Sequence, residues 1–273
     1  MVGRAVLDRY TASGGALLAG GLTYSALFAL LPALLLLTAI LGLVIDDPDR
    51  RAAILDSLGR AVPPLRDFLA ASMDEIAARA SAYGVVGLVG LAWGASRFYA
   101  ALDDAFARVF SGAPRRGFVA RTVRGVVSVA AILSGFLLAL ALTSVLSLLL
   151  EDARNGLGSG PLDARGLLSP ALAAAVLVSG TLAVYRLVPA RHVTWSAAIP
   201  PALVVGVIVA GLTQAFSVVA PRLIGSAALF GAFVAVFAAM VWMSLAFQVL
   251  LIGAAWVRER LGPPVPVTPP TEG

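Results

Sequence analysis

The chain has 273 residues, of which 60% are apolar and 13% charged, and its mean hydropathy is +0.94. Soluble domains carry about 25% charged residues and expose apolar patches of roughly a few hundred Å² at most, so a soluble globular protein is excluded. All 20 basic residues are Arg, and the net charge is +5. Because membrane proteins hold Arg in their cytoplasmic loops, this charge does not predict a nucleic-acid partner.

Residue types that hold cofactors and metals are scarce. The chain has no Cys, which excludes disulfides and thiolate metal sites, and its single His192 excludes a multi-His metal site within one chain. No Ser-His-Asp arrangement is suggested, because His192 falls in a short basic loop. We therefore expect no cofactor, no metal and no catalytic residues, and we do not expect an enzyme.

Six long apolar stretches fill most of the chain. Each holds about 20 residues or more, enough at 1.5 Å rise per residue to cross the roughly 30 Å hydrocarbon core of a bilayer. Strands of a membrane barrel are shorter and alternate in polarity. The pattern therefore predicts an all-α, polytopic membrane bundle as one domain over residues 1–261. The predicted spans are residues 17–45, 83–102, 126–150, 169–188, 195–219 and 229–257.

Loop charges predict the orientation of these spans. The segment 108–124 holds five Arg and no acidic residue, which is typical of a cytoplasmic loop. The segment 46–82 balances its five Arg with seven acidic residues, and it is long enough to form structure of its own. We predict that both termini are cytoplasmic, in a multi-pass protein of a bacterial inner membrane.

The outer segment 46–82 is predicted to form two helices separated by Pro63 and Pro64. Apolar residues recur at helical spacing in the second helix. This stripe either packs on the bundle or the outer membrane interface, or it binds a partner protein. The tail 262–273 is rich in Pro, and we expect it to be disordered.

Charged residues are the first candidates for a functional site, because charge inside a bilayer is rare. Arg97 falls in the second stretch, two turns before Asp104, and Asp103 and Asp104 follow its last apolar residues. Arg97 either lines a pathway or marks the end of the span, with its guanidinium reaching the cytoplasmic interface. Both interpretations remain open from the sequence.

The other candidates are one amide and two helix breaks. Gln214, late in the fifth stretch, either lines a polar cavity or hydrogen-bonds a neighbouring helix. Pro32 and Pro200 are expected to interrupt the first and fifth stretches. Such breaks mark substrate sites in some transporters and are ordinary architecture in other bundles.

Small and aromatic residues indicate packing and anchoring. Gly90 and Gly94 form a small-xxx-small pair that favours close contact between helices. Trp195 and Tyr185 fall near predicted span ends, where aromatic side chains either anchor at the interface or pack between helices.

The order of several short segments resembles the YihY/BrkB family of inner-membrane proteins. The resemblance begins at residues 22–28, which include Tyr24, and it covers nearly the whole chain from about residue 5 to 260. Its further positions are Pro32, residues 96–98, residues 103–110, Pro189, Trp195, Gly231, Trp242 and residues 251–254, which include Gly253. The chain departs from the family pattern at Ala107, Phe230 and Ala255, where polar residues are frequent in relatives.

Membership implies a six-helix protein of the cytoplasmic membrane. Members of the family carry labels concerning envelope integrity and serum resistance. Some members carry the label ribonuclease BN, but the short cytoplasmic segments here hold no metal-binding cluster of a nuclease. Two hypotheses follow. The chain is a transporter or translocator of a lipid or small solute within the bilayer, or it is a non-transporting envelope scaffold whose segment 46–82 binds a partner.

Overall fold

The computed structural model describes residues 2–44, 80–110, 164–225 and 231–262, and every regular element within them is an α-helix. The predicted third span, the outer segment before residue 80 and the tail after Gly262 lie outside these residues. The described helices are α1 (Val2–Ala12), α2 (Gly15–Val44), α3 (Ala80–Val109), α4 (Ala164–Leu187), α5 (Trp195–Gly225) and α6 (Gly231–Arg260).

Three stretches in the described helices are long and apolar enough to cross a membrane: Gly84–Val109, Trp195–Val219 and Val236–Arg260. The bent pair α1 and α2 would make a fourth. In α4, the apolar stretch Ala174–Leu187 is shorter than these three. These helices agree with the predicted membrane bundle. α3, α5 and α6 each continue beyond the predicted ends of their stretches at residues 102, 219 and 257.

The continuation of α3 has a clear cause. Ala105, Phe106 and Val109 are fully buried or nearly so, and they lie on one face of the helix. The charged residues of the same turns lower the local hydropathy, and Asp104 and Arg108 are exposed. A hydropathy boundary therefore ended the span too early, although the buried face continues to the end of the helix.

The first span begins with a separate helix that the hydropathy did not predict. α1 meets α2 at a bend of 64°. The bend lies at Gly14, whose φ of 73° is in the left-handed region that favours glycine. The amides of Ser13 and Gly14 donate to the carbonyls of Arg9 and Thr11, each at 3.0 Å, and these bonds close the last turn of α1.

Pro32 and Pro200, which were expected to interrupt their stretches, both lie inside continuous helices. α2 continues through Pro32 to Val44, and α5 continues through Pro200 to Gly225. A proline inside a helix removes one backbone hydrogen bond, which neighbouring helices can compensate in a membrane bundle.

Glycines of α3 allow it to lie directly against α2. A Cβ at Gly87 would stand 2.7 Å from the Leu36 amide nitrogen, and one at Gly94 would stand 2.7 Å from the Ala29 Cα. At Gly90 it would stand 2.9 Å from the Pro32 ring. These approaches confirm the close packing predicted from Gly90 and Gly94.

The largest buried cluster lies at one end of the bundle, which we call the core end. It joins the start of α2, the ends of α3, α4 and α6, and the start of α5. These helices therefore alternate in direction: α2 and α5 leave the core end, and α3, α4 and α6 arrive there. Its largest members include Leu22, Phe106, Phe110, Tyr185, Val188, Val193, Leu251 and Val257.

Large apolar side chains point outward along the length of the bundle. This arrangement would be unfavourable in water and is the normal state of a helix that contacts lipid. On α5 the exposed set includes Ile199, Leu203, Val204, Val207 and Ile208, and on α6 it includes Val236, Phe237, Val241 and Leu245.

Candidate functional site

An exposed aromatic group lies across the seam between α2 and α3 and ends at Arg97. The rings of Tyr24 and Phe28 have centroids 4.8 Å apart, and the Phe28 ring meets Trp93 edge-on at 6.1 Å. The Arg97 guanidinium stands 5.7 Å from the Trp93 centroid, a cation–π distance. Tyr24 is 61% exposed and Trp93 is 54% exposed. The seam therefore presents three aromatic rings and one cation on the outer surface of the bundle.

Arg97 lies on the outer surface of α3, next to the edge of the buried cluster against which Phe98 packs. Its neighbour Phe98 contacts Phe247 of α6, with ring centroids 5.8 Å apart. From Phe247, α6 continues 13 residues to Arg260, which corresponds to about 20 Å at 1.5 Å per residue. That distance exceeds half of a hydrocarbon core of roughly 30 Å. Arg97 thus lies near the middle of the candidate span Gly84–Val109, and α3 continues beyond it to Val109. Both interpretations of Arg97 stay predictions.

The seam is open on the side of Arg97 that faces the core end. Gly20 and Gly21 lie about one turn before Tyr24 on α2, and both are exposed. No atom lies within 4 Å of a Cβ built at either glycine. Asp104 and Arg108 are exposed on the following turns of α3. Polar groups therefore continue from Arg97 toward the core end beside an unobstructed stretch of α2.

A second polar feature lies at the core end itself. Arg9 of α1 forms an ion pair with Glu259 of α6. Arg258, only 5% exposed, donates to the Phe110 carbonyl at 3.2 Å and to the Gly262 carbonyl at 2.7 Å. A cleft of about 520 Å³ adjoins these groups, lined by Ala5, Asp8, Arg9, Ala12, Ser13, Arg108, Val109 and Glu259. These bonds fasten the ends of α1, α3 and α6 to one another.

Sequence reasoning did not identify Arg258 as a buried group. From the sequence it is one of two Arg after the last apolar stretch, and its neighbour Arg260 is exposed. Helical spacing contains a weak signal, since Arg258 follows Leu251 and Ala254 on the buried face of α6.

Gly253 and Tyr185 have a packing role that explains the family-motif glycine. Tyr185 is fully buried, and its hydroxyl donates to the Leu250 carbonyl at 2.8 Å. A Cβ at Gly253 would overlap this hydroxyl and would stand 2.5 Å from Val205. Tyr185 therefore belongs to helix packing, the second of the two roles open from the sequence.

The remaining predicted residues do not assemble into one site. Gln214 is exposed on α5, where the Ser217 hydroxyl donates to its backbone carbonyl at 2.7 Å. Asp103 is partly buried and Pro189 is buried after α4. Pro200 is partly buried, and Gly231 begins α6. Gln248, a second amide that the sequence reasoning passed over, contacts Ser244 on its own helix at 3.4 Å.

Trp195 is a predicted aromatic anchor with the exposure of an interface residue. It begins α5 and is 58% exposed. The Arg186 guanidinium stands 4.0 Å from its ring centroid. Within the described ranges, no three carboxylate or imidazole groups come together in a way that could hold a metal ion.

Comparison with known proteins supports the resemblance seen in the sequence. Neither the curated proteins nor the solved structures contain a significant match to this chain. A family model described as "Virulence factor BrkB" matches residues 6–262, which include every described helix except the first residues of α1. The apolar helices agree with this family of membrane proteins. The chain therefore belongs to the virulence factor BrkB family, also called YihY.

Proposed function

We propose that this protein is a lipid translocator of the bacterial cytoplasmic membrane, in which the seam between α2 and α3 conducts a phosphate-bearing headgroup past Arg97. The observation that carries the proposal is the exposed guanidinium of Arg97 at the middle of a candidate membrane span. Among the described residues, its contact is the Trp93 ring rather than a carboxylate. The proposed role is transport without covalent chemistry.

The energetic argument concerns the position of the charge. An Arg at the centre of a bilayer costs about 2.5–3.5 kcal/mol on insertion scales and more in simulations. A chain that retains such a group on its outer surface offers a binding partner to an anion that crosses the same layer. Guanidinium binds phosphate oxygens through paired N–H donors. The contact with Arg97 would therefore offset part of the free-energy cost of dehydrating a headgroup that moves along the seam. The headgroup would cross mid-membrane at a lower cost than in pure lipid.

The proposed topology has six spans with both termini in the cytoplasm. α2 begins at the core end and α3 returns to it, so the segment between them begins and ends at the opposite face. α4 begins at that opposite face, whereas α3 ends at the core end, so an odd number of crossings separates them. The apolar stretch 126–150 supplies one crossing of suitable length. The Arg-rich segment 108–124 then lies on the cytoplasmic side with the core end.

The test is lipid exchange in proteoliposomes. Purified protein is reconstituted with a fluorescent phospholipid, and an impermeant reductant bleaches the accessible leaflet. In sealed vesicles, the wild-type protein should allow bleaching well beyond the outer leaflet. Arg97→Ala should slow exchange by about tenfold or more, because it removes a charge-assisted contact to the phosphate. Arg97→Lys should retain part of the rate, and Arg222→Ala, an exposed Arg on α5, should leave it unchanged.

Two results would contradict the proposal. If Arg97→Ala exchanges lipid at the wild-type rate, the seam is not the path. If wild-type protein in sealed vesicles leaves the inner leaflet unbleached, passive lipid translocation is wrong. The scaffold hypothesis would then be favoured, and deletion of segment 46–82 would test it.

A further inference from the structure

We propose that the turn between α4 and α5 forms a binding site for one anionic phospholipid at the cytoplasmic membrane surface. We define the α5 basic patch as Arg186 and Arg260, which contact the start of α5, together with Arg191 in the turn before it. It is separate from the seam at Arg97, and its lipid would be a bound neighbour of the protein rather than a transported molecule. The proposal uses the cytoplasmic position of the core end and does not depend on lipid translocation.

The geometry of the patch begins with Arg186. Its guanidinium lies against the Trp195 ring, 4.0 Å from the centroid, and its Nη1 donates to the Val193 carbonyl at 3.0 Å. These two contacts hold the cation beside the start of α5. Arg186 is only partly buried, so the rest of its donors remain open to a ligand.

Arg260 of α6 also contacts the start of α5. Its Nη2 donates to the Ser196 carbonyl at 3.1 Å, one residue after Trp195. Arg260 is exposed, and Arg191 in the turn is partly exposed. Two guanidinium groups, from α4 and α6, are therefore placed beside the first residues of α5, and Arg191 adds a third charge in the turn before them.

The charge of the patch is uncompensated in the sequence around it. Residues 164–258 contain no acidic residue. Glu259, which precedes Arg260, forms an ion pair with Arg9 of α1. An anion at the patch would thus meet Arg186 and Arg260, with Arg191 in the adjoining turn, and no carboxylate from α4, the turn or α5. Basic pockets between helices on the cytoplasmic side are suited to anionic headgroups.

The surface next to the patch suits acyl chains and selects a lipid over a free anion. Trp195 is 58% exposed, as expected for an aromatic ring at the level of the headgroups. Ile199 and Leu203 follow at one-turn spacing on α5, and both side chains are exposed. A phosphate bound by the arginines would place its glycerol near Trp195 and its chains along this apolar face.

The test measures quenching of Trp195 fluorescence by brominated lipid. The protein is reconstituted in phosphatidylcholine with the same low fraction of brominated phosphatidylglycerol or brominated phosphatidylcholine. The Trp195 signal is taken as the difference between the wild type and Trp195→Phe. Brominated phosphatidylglycerol should quench more strongly, and its preference should fall about fivefold for each arginine replaced in Arg260→Gln and Arg191→Gln. Arg260→Lys, which keeps the charge, should retain most of the preference.

The matched control is Arg222→Gln, which removes one exposed Arg at the other end of α5. Equal quenching by the two brominated lipids in the wild type would overturn the proposal. An equal loss in Arg222→Gln would also overturn it, because net charge alone would explain the effect. If inorganic phosphate displaces brominated phosphatidylglycerol, the ligand of the patch is a free anion rather than a lipid, and the proposal is wrong. Since no step of this measurement requires lipid exchange, its result is independent of the proposed translocation.

Discussion

Arg258 and Arg97 occupy opposite environments in the same bundle. Arg258 lies at the core end, almost completely buried, with two backbone carbonyls as acceptors. Arg97 lies on the outer surface at mid-span and contacts the face of an aromatic ring. A buried cation with satisfied donors stabilises a structure, whereas an exposed cation at bilayer depth adds cost and is expected to have a function. The depth and the partners of an Arg therefore decide its role more than its presence in an apolar helix.

The largest expected effect on stability is at Arg258. Arg258→Met removes the donors to Phe110 and Gly262 and should destabilise the protein by about 2–4 kcal/mol, because a buried and a partly buried carbonyl lose a charged donor. The thermal unfolding midpoint in detergent should fall by about 5–10 °C. Arg97→Met should leave the midpoint nearly unchanged. A reversal of this order would show that Arg97, rather than Arg258, is the structural residue.

A smaller effect is expected where the seam is packed. Gly94→Leu places a side chain against the backbone of Ala29, and the overpacking should cost about 1–3 kcal/mol. Gly211→Leu on α5 is the matched control, since a Cβ there meets no atom within 4 Å. Thermal unfolding of both variants measures the difference. Equal midpoints would mean that α2 and α3 do not approach each other as closely as the structure shows.

The smallest effect concerns the attachment of α1. Glu259→Gln removes the partner of Arg9, and an ion pair of this partial exposure contributes about 0.2–1 kcal/mol. Trypsin should then cleave within α1 up to about fivefold faster, because local opening becomes more frequent. Asp8→Asn, on the exposed surface of α1, should leave the cleavage rate unaltered. If both variants behave alike, the ion pair does not fasten α1.

Membrane helices were readily predicted because their physical requirement is simple. Twenty apolar residues span a bilayer whatever their neighbours are, and the fifth predicted span begins at Trp195 as α5 does. Hydropathy failed where the stabilising contacts come from tertiary packing. α1 contains Arg4, Asp8 and Arg9, so its mean polarity concealed the buried Val6.

The candidate site shows the same division. Arg97 could be singled out because charge is rare in the apolar stretches, but the contact of its partner Trp93 with Phe28 of α2 and the contact of Phe98 with α6 required the positions of those helices. Gln214 was singled out by the same rarity, and its described contact stays within α5. Residue type thus identified candidates, and three-dimensional neighbours separated them.

The most direct test of the central claim is the membrane depth of the exposed face that carries Arg97. The chain has no Cys, so Ser96→Cys gives one site for a spin label beside Arg97, at an exposed position. In reconstituted bilayers, collision with oxygen and with a water-soluble nickel complex reports the surroundings of the label. The account predicts high accessibility to oxygen and low accessibility to nickel, as for a lipid-facing residue near mid-membrane. High accessibility to nickel, or low accessibility to both, would contradict it.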